Sequence, residues 1–101
     1  MKKIVLICSN GMSTSTLVKK MRKAAEETGY ECTVDAYPMT NLREVMVDAD
    51  CILLGPQVSY QLDKVKAVTG DMPLEVIAMQ DFGMMNGKKV LEQARRIMKD
   101  A

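Results

Sequence analysis

The chain has 101 residues, is 48% hydrophobic and carries a formal net charge of +1. That length builds one core and one domain, spanning residues 1–101. Near-neutrality gives no push toward nucleic acid or an anionic membrane surface. No run is apolar enough to cross a bilayer, and the short apolar stretch after Lys2-Lys3 is too brief for a signal core. Histidine is absent, which removes Cys-His and Ser-His catalysis and His-based metal sites from the chain itself. The three cysteines form no Cys-x-x-Cys pair, so we expect free thiols in a reducing cytosol, with no metal and no organic cofactor.

Lys3 to Ile7 is a short, β-branched apolar run and predicts a strand buried on both faces. Cys8-Ser9-Asn10-Gly11-Met12-Ser13-Thr14-Ser15 follows, and then a helical pattern to about Thr28 with Leu17, Met21, Ala24 and Ala25 inward. A thiol therefore stands at a strand tip, and a loop of small hydroxyl residues wraps from it into a helix. Helix N-termini offer unpaired N–H groups and the positive end of the helix dipole, so this loop is a candidate anion cradle. A cysteine held there is nucleophilic as the thiolate. The plainer alternative is that the hydroxyls only cap the helix. Cys32 and Cys51 sit inside strand-like stretches and read as small buried hydrophobes. Lys19, Lys20 and Lys23 make a basic outer face, which is either solvated or a docking surface.

Gly29 suits a helix C-cap. Glu31 to Ala36 alternates as an edge strand, with Cys32, Val34 and Ala36 on one face, and Pro38 ends it. Asn41-Leu42-Arg43-Glu44 predicts a capping box opening a short helix to about Val47. Cys51 to Leu54 is a third, fully apolar strand broken by Gly55-Pro56-Gln57. A helix follows to Thr69 with Val58, Leu62, Val65 and Val68 inward. Leu74 to Ala78 is the fourth strand, Met79 to Asn86 a loop, and Gly87 to Lys99 the last helix.

Four strands alternating with four helices predict an α/β fold: a single open parallel sheet, flavodoxin-like, in the order 2-1-3-4 with helices on both faces. Ligands in such sheets sit beyond the strand C-termini where the order reverses, here between strands one and three. The Cys8 loop and Gly55-Pro56-Gln57 should share that rim, with Gln80-Asp81-Phe82 one strand further out. Met12, Met84 and Met85 also fall there, either as an adaptable apolar docking collar or tucked into the core.

The octet, together with Leu53-Leu54-Gly55-Pro56-Gln57, resembles the enzyme IIB components of the lactose/cellobiose family of the bacterial phosphoenolpyruvate-dependent sugar phosphotransferase system, across essentially the whole chain. The resemblance implies a phosphocarrier related in fold to low-molecular-weight tyrosine phosphatases. Cys8 would accept a phosphoryl group from a phosphohistidine of enzyme IIA. It would pass the group to a sugar held by the membrane enzyme IIC, a β-linked disaccharide such as cellobiose, chitobiose or lactose. Ser9, Asn10, Gly11, Met12, Ser13, Thr14 and Ser15 would bind the phosphoryl oxygens. The strand order, rather than the resemblance, places Gly55, Pro56, Gln57, Asp81, Phe82, Met84 and Met85 on the expected partner rim. The histidine missing from this chain would then be supplied in trans. The late loop, Phe82-Gly83-Met84-Met85-Asn86-Gly87, departs from the family's usual Tyr-Gly-x-x-Asp-Gly, so no phenol is available there.

The alternative is a low-molecular-weight phosphatase or arsenate-reductase-like hydrolase using Cys8. Its Cys-x5-Arg-Ser/Thr pattern needs an arginine where this chain has Thr14. A guanidinium there would clamp the equatorial oxygens, and its loss removes transition-state stabilisation. Hydrolysis also needs a general acid, for which Asp81 is the candidate. A receiver-like binding module fails on residue type, because it needs a carboxylate at a central strand tip.

Overall fold

The computed structural model describes residues 1–8 and 11–100; Ser9, Asn10 and the side chains of residues 11–13 lie outside that description. The elements are β1 Lys2–Ile7, α1 Gly11–Thr28, β2 Cys32–Tyr37, α2 Leu42–Val45, β3 Cys51–Leu54, α3 Leu62–Thr69, β4 Leu74–Val76, α4 Met79–Gly83 and α5 Gly87–Ile97. All strand pairs are parallel, and the sheet order is β2-β1-β3-β4, as the alternation of elements requires.

Strand β1 explains why the fold is two-sided. Ile4 and Leu6 point into one core with Leu17, Met21, Val90 and Leu91 from α1 and α5. Val5 and Ile7 point into the other with Leu42, Val45 and Val65 from α2 and α3. A strand covered on both faces has no polar side to alternate, hence its unbroken apolar run. Full burial of each such aliphatic side chain stabilises the fold by about 1.5–3 kcal/mol. Gly29 closes α1 at φ 70, with Tyr30 N–H donating to the Ala25 carbonyl and Gly29 N–H to that of Glu26. This is the paired C-terminal bonding that favours glycine.

Three local expectations need correction. Residues 79–86 are not a simple loop, because Met79–Gly83 forms α4. Burial of Phe82 against the α1–α5 core holds this turn, and the Phe82 N–H donates to the Ala78 carbonyl. Asn41 builds no capping box: its backbone is at φ −95, ψ 3 and its side chain caps nothing. Pro38 instead opens a 3-10 turn, Met39–Asn41, that runs directly into α2. The helix expected to follow Gly55-Pro56-Gln57 starts as a 3-10 turn, Pro56–Gln61, and becomes α-helical only at Leu62.

Gly87, at the start of α5, lies against the backbone of α1. A Cβ there would sit 2.4 Å from the Lys20 carbonyl carbon and 2.6 Å from the Met21 nitrogen. Asn86 caps this helix, its Oδ1 accepting from the Lys89 N–H at 3.2 Å. The asparagine that departs from the family's aspartate therefore still serves as a cap.

Candidate functional site

The four strand tips are laced together by backbone hydrogen bonds. Cys8 N–H donates to the Tyr37 carbonyl at 3.2 Å, Gly55 N–H to Ile7 at 2.8 Å, and Ile77 N–H to Leu54 at 2.8 Å. Cys8 is therefore fixed between the ends of β2 and β3, at the point where strand order reverses. The chain then turns into α1, whose first turn carries no acidic residue, so nothing there offsets the positive end of its dipole.

Cys8 is only 4% exposed, and its sulfur shares a hydrogen bond with the hydroxyl of Thr14. Thr14, in the first turns of α1, is itself 1% exposed and is the one buried polar side chain among the described residues. Burying a hydroxyl costs free energy unless it is bonded, and here the partner is the thiol. Thr14 thus occupies the place where a hydrolase of similar fold would need arginine, and it touches the sulfur. Three of the four arginines are committed elsewhere: Arg22 pairs with Asp35 at the β2 edge, Arg96 with Glu75 beside β4, and Arg95 stacks on Tyr30, while the fourth, Arg43, lies on α2.

Gly55 packs against Cys8 without a side chain. A Cβ on it would lie 3.1 Å from the Cys8 Cβ and 2.7 Å from Gln57 Oε1. So Gly55, Gln57 and Cys8 come together, with Pro56 fixing the first residue of the turn between them. Asp81 points elsewhere: it lines a cleft of about 490 Å³ on the outer edge of β4 with Glu75, Lys89 and Arg96. Phe82 is buried in the α1–α5 core at 6% exposure. Met84 is 68% exposed, whereas Met85, at φ 52, packs partly into that core. Ser15 is exposed. The expected contributions of Ser9 and Asn10 and of the Met12 and Ser13 side chains lie outside the described residues.

Two features escaped the sequence reading. The Tyr37 carbonyl that anchors Cys8 is a backbone group and leaves no residue-type signal. Met79, 76% exposed on α4, was hidden inside a predicted loop. The other two thiols behave as core residues: burial pushes Cys51 up to about 12 from an ordinary 9.0, and burial also raises Cys32. Among the described residues no acid–thiol cluster could hold a metal, and no helix is long and apolar enough to cross a membrane.

A buried thiol at the switch point of a parallel sheet, facing a helix N-terminus, defines the phosphoryl-handling class of small α/β proteins. Within that class the chain matches the lactose/cellobiose-specific IIB subunit family of the phosphotransferase system over residues 3–93, and it belongs to that family. It is 45% identical over 101 residues to the oligo-beta-mannoside-specific EIIB component of Bacillus subtilis (strain 168), covering 97% of each chain. It is 42% identical to the galactose-specific EIIB component of Lactococcus lactis subsp. cremoris (strain MG1363), covering 96% of each. Among solved structures it resembles the cellobiose-specific IIB component of Borrelia burgdorferi, with a TM-score of 0.83, 36% identity and coverage of 98% and 93%. A lactose-specific IIB domain of Streptococcus pneumoniae, at 15% identity and a TM-score of 0.78 over 94% and 95%, shares the fold. The protein is thus a IIB phosphocarrier, a component that transfers phosphoryl groups to sugar, and the phosphatase reading is not favoured.

Proposed function

We propose that Cys8 is the residue that carries the phosphoryl group, receiving it from a phosphohistidine of enzyme IIA and handing it to a sugar bound by enzyme IIC. The observation that carries this is the placement of Cys8, bonded to Thr14 at the start of α1 and clasped between the β2 and β3 tips. In the first step the thiolate attacks phosphorus, an S–P bond forms, and the N–P bond breaks with its electron pair left on the imidazole. In the second, a sugar hydroxyl attacks, an O–P bond forms, and the thiolate leaves. The hydroxyl proton goes to a base outside this chain, which has no histidine. Backbone N–H groups of residues 9–15, with the hydroxyls of Ser9, Ser13, Thr14 and Ser15, orient the dianion in line. Orientation and charge stabilisation are most of what phosphoryl transfer needs.

The acceptor is a β-linked disaccharide such as cellobiose, chitobiose or lactose, and its choice rests with the membrane component. Identities of 45%, 42% and 41% to relatives named for oligo-beta-mannoside, galactose and cellobiose support that division of labour. The exposed side of this tip, with Pro56, Gln57, Met79 and Met84 over the buried Gly55, is the face offered in turn to IIA and IIC. The carrier works in the cytoplasm, where both partners present their phosphoryl sites. Incubation with phosphoenolpyruvate, the two general phosphotransferase proteins and a IIA tests the assignment by intact mass. Wild type should gain one phosphoryl group and Cys8→Ser none; equal gain by Cys8→Ser would refute it.

A further inference from the structure

The cradle at Cys8 holds a dianion without a cationic side chain from its own octet, which places weight on every neutral donor within reach. Strand β3 brings one. Gln57 folds back over Gly55, its amide oxygen 2.7 Å from the position a Gly55 Cβ would take, and that same position is 3.1 Å from the Cys8 Cβ. The carboxamide oxygen and the thiol-bearing carbon thus both border the space that a methyl group on Gly55 would fill.

The backbone around Gln57 is held on both sides. Pro56 fixes its own φ, and the buried Val58 donates its N–H to the Gly55 carbonyl at 3.0 Å. The Gln57 side chain is exposed and makes no hydrogen bond among the described residues. No hydrogen bond to a described residue ties the carboxamide down. A half-turn about χ3 exchanges its oxygen for an NH₂ group with two donors at the same place.

We propose that the Gln57 carboxamide donates a hydrogen bond to the phosphoryl group on Cys8, and that Gly55 lacks a side chain so that it can. This rests on Cys8 as the phosphoryl acceptor. A neutral amide suits a carrier: it orients an oxygen and favours the dianion, yet lacks the full charge with which a guanidinium would trap the group. Gln57 is then a phosphoryl-binding residue as well as part of the docking rim.

The test compares wild type, Cys8→Ser, Gln57→Leu and Gln57→Glu. Each is phosphorylated through IIA, freed of its partners and titrated by phosphorus NMR. Leucine keeps the side chain's bulk and removes both donors; glutamate keeps the shape and adds a like charge. Melting curves check that the folds are intact, as an exposed side chain predicts. The phosphocysteine signal should shift in both Gln57 variants, its titration midpoint should rise, and the rise should be larger for glutamate. Phosphorylation by IIA should slow about tenfold in Gln57→Leu, as for loss of one charge-assisted hydrogen bond. Signals and midpoints that superimpose on wild type, with only the transfer rate reduced, would assign Gln57 to docking and overturn the proposal. A wild type with no phosphocysteine signal, or one matched by Cys8→Ser, would instead overturn the Cys8 assignment and this inference with it.

Discussion

Thr14 shows most directly how one residue separates a carrier from a hydrolase of similar fold. Its hydroxyl is buried at 1% exposure and bonded to the Cys8 sulfur, at the position where arginine would clamp a transferring phosphoryl group. Thr14→Val keeps the volume and removes the hydroxyl. Stopped-flow or quench measurements of phosphorylation by IIA should show roughly a tenfold loss, and Thr14→Ser should recover most of it. Unchanged transfer in Thr14→Val would mean that the hydroxyl only fills space. Cys51 is the counter-example, a thiol whose role is packing. Burial holds it protonated, with its titration pushed up to about 12. Cys51→Ala should lower stability by about 1–2 kcal/mol in a urea titration, on the scale of one or two buried methyl-sized groups, and leave phosphorylation in place. Loss of phosphorylation in the folded variant would contradict that reading.

Among the elements, α1 and α5 set how the molecule closes, and their contact depends on one missing side chain. At Gly87 a Cβ would fall 2.4 Å and 2.6 Å from the Lys20 and Met21 backbone and 2.7 Å from the Lys20 Cβ, where no flexible side-chain end can move aside. Gly87→Ala should therefore destabilise by about 2–3 kcal/mol, the upper range for overpacking, read as a lower urea midpoint at unchanged slope. A midpoint equal to wild type would show that the helices separate without cost. Elements that bury a full face were legible in the sequence: the β1 and β3 apolar runs, the α1 stripe and the Gly29 stop all appear where the pattern puts them. Short elements held only by tertiary contact were not. Helix α4 has five residues and no side-chain cap, and Phe82 burial makes it helical. Asn41 matches a capping sequence but sits at φ −95, ψ 3, because the 3-10 turn opened by Pro38 arrives first. At the site, the octet announced the thiol at the strand tip and the helix that begins behind it. The Tyr37 carbonyl, the inward Phe82 and the outward Asp81 depend on chain path, which residue types do not encode.

For the whole molecule, the C-terminus is tied across the far end of α1. The Tyr30 hydroxyl donates to Asp100 Oδ2 at 2.6 Å, and the Arg95 guanidinium lies 4.2 Å from the centre of the Tyr30 ring. Burial, then the Asp100 carboxylate, raises the Tyr30 phenol far above its ordinary 10.0. Cys51 and Cys32 are raised too, chiefly by burial. All three groups titrate higher folded than unfolded. Their contribution is complete below about pH 9 and is lost as pH rises through the folded values. Melting temperature should therefore stay flat near neutrality and fall steadily above about pH 9. Tyr30→Phe should cost about 1 kcal/mol at neutral pH and blunt the alkaline decline. An alkaline slope identical to wild type would remove Tyr30 from the account.

The carrier role itself is tested by discharge. The chain is phosphorylated through IIA, purified, and followed by intact mass in buffer alone and with vesicles bearing a IIC component and cellobiose. The phosphoryl group should be stable in buffer and lost to the sugar, one for one, when vesicles and sugar are both present. Release of inorganic phosphate at the same rate with and without the acceptor would contradict it and return the site to a hydrolase.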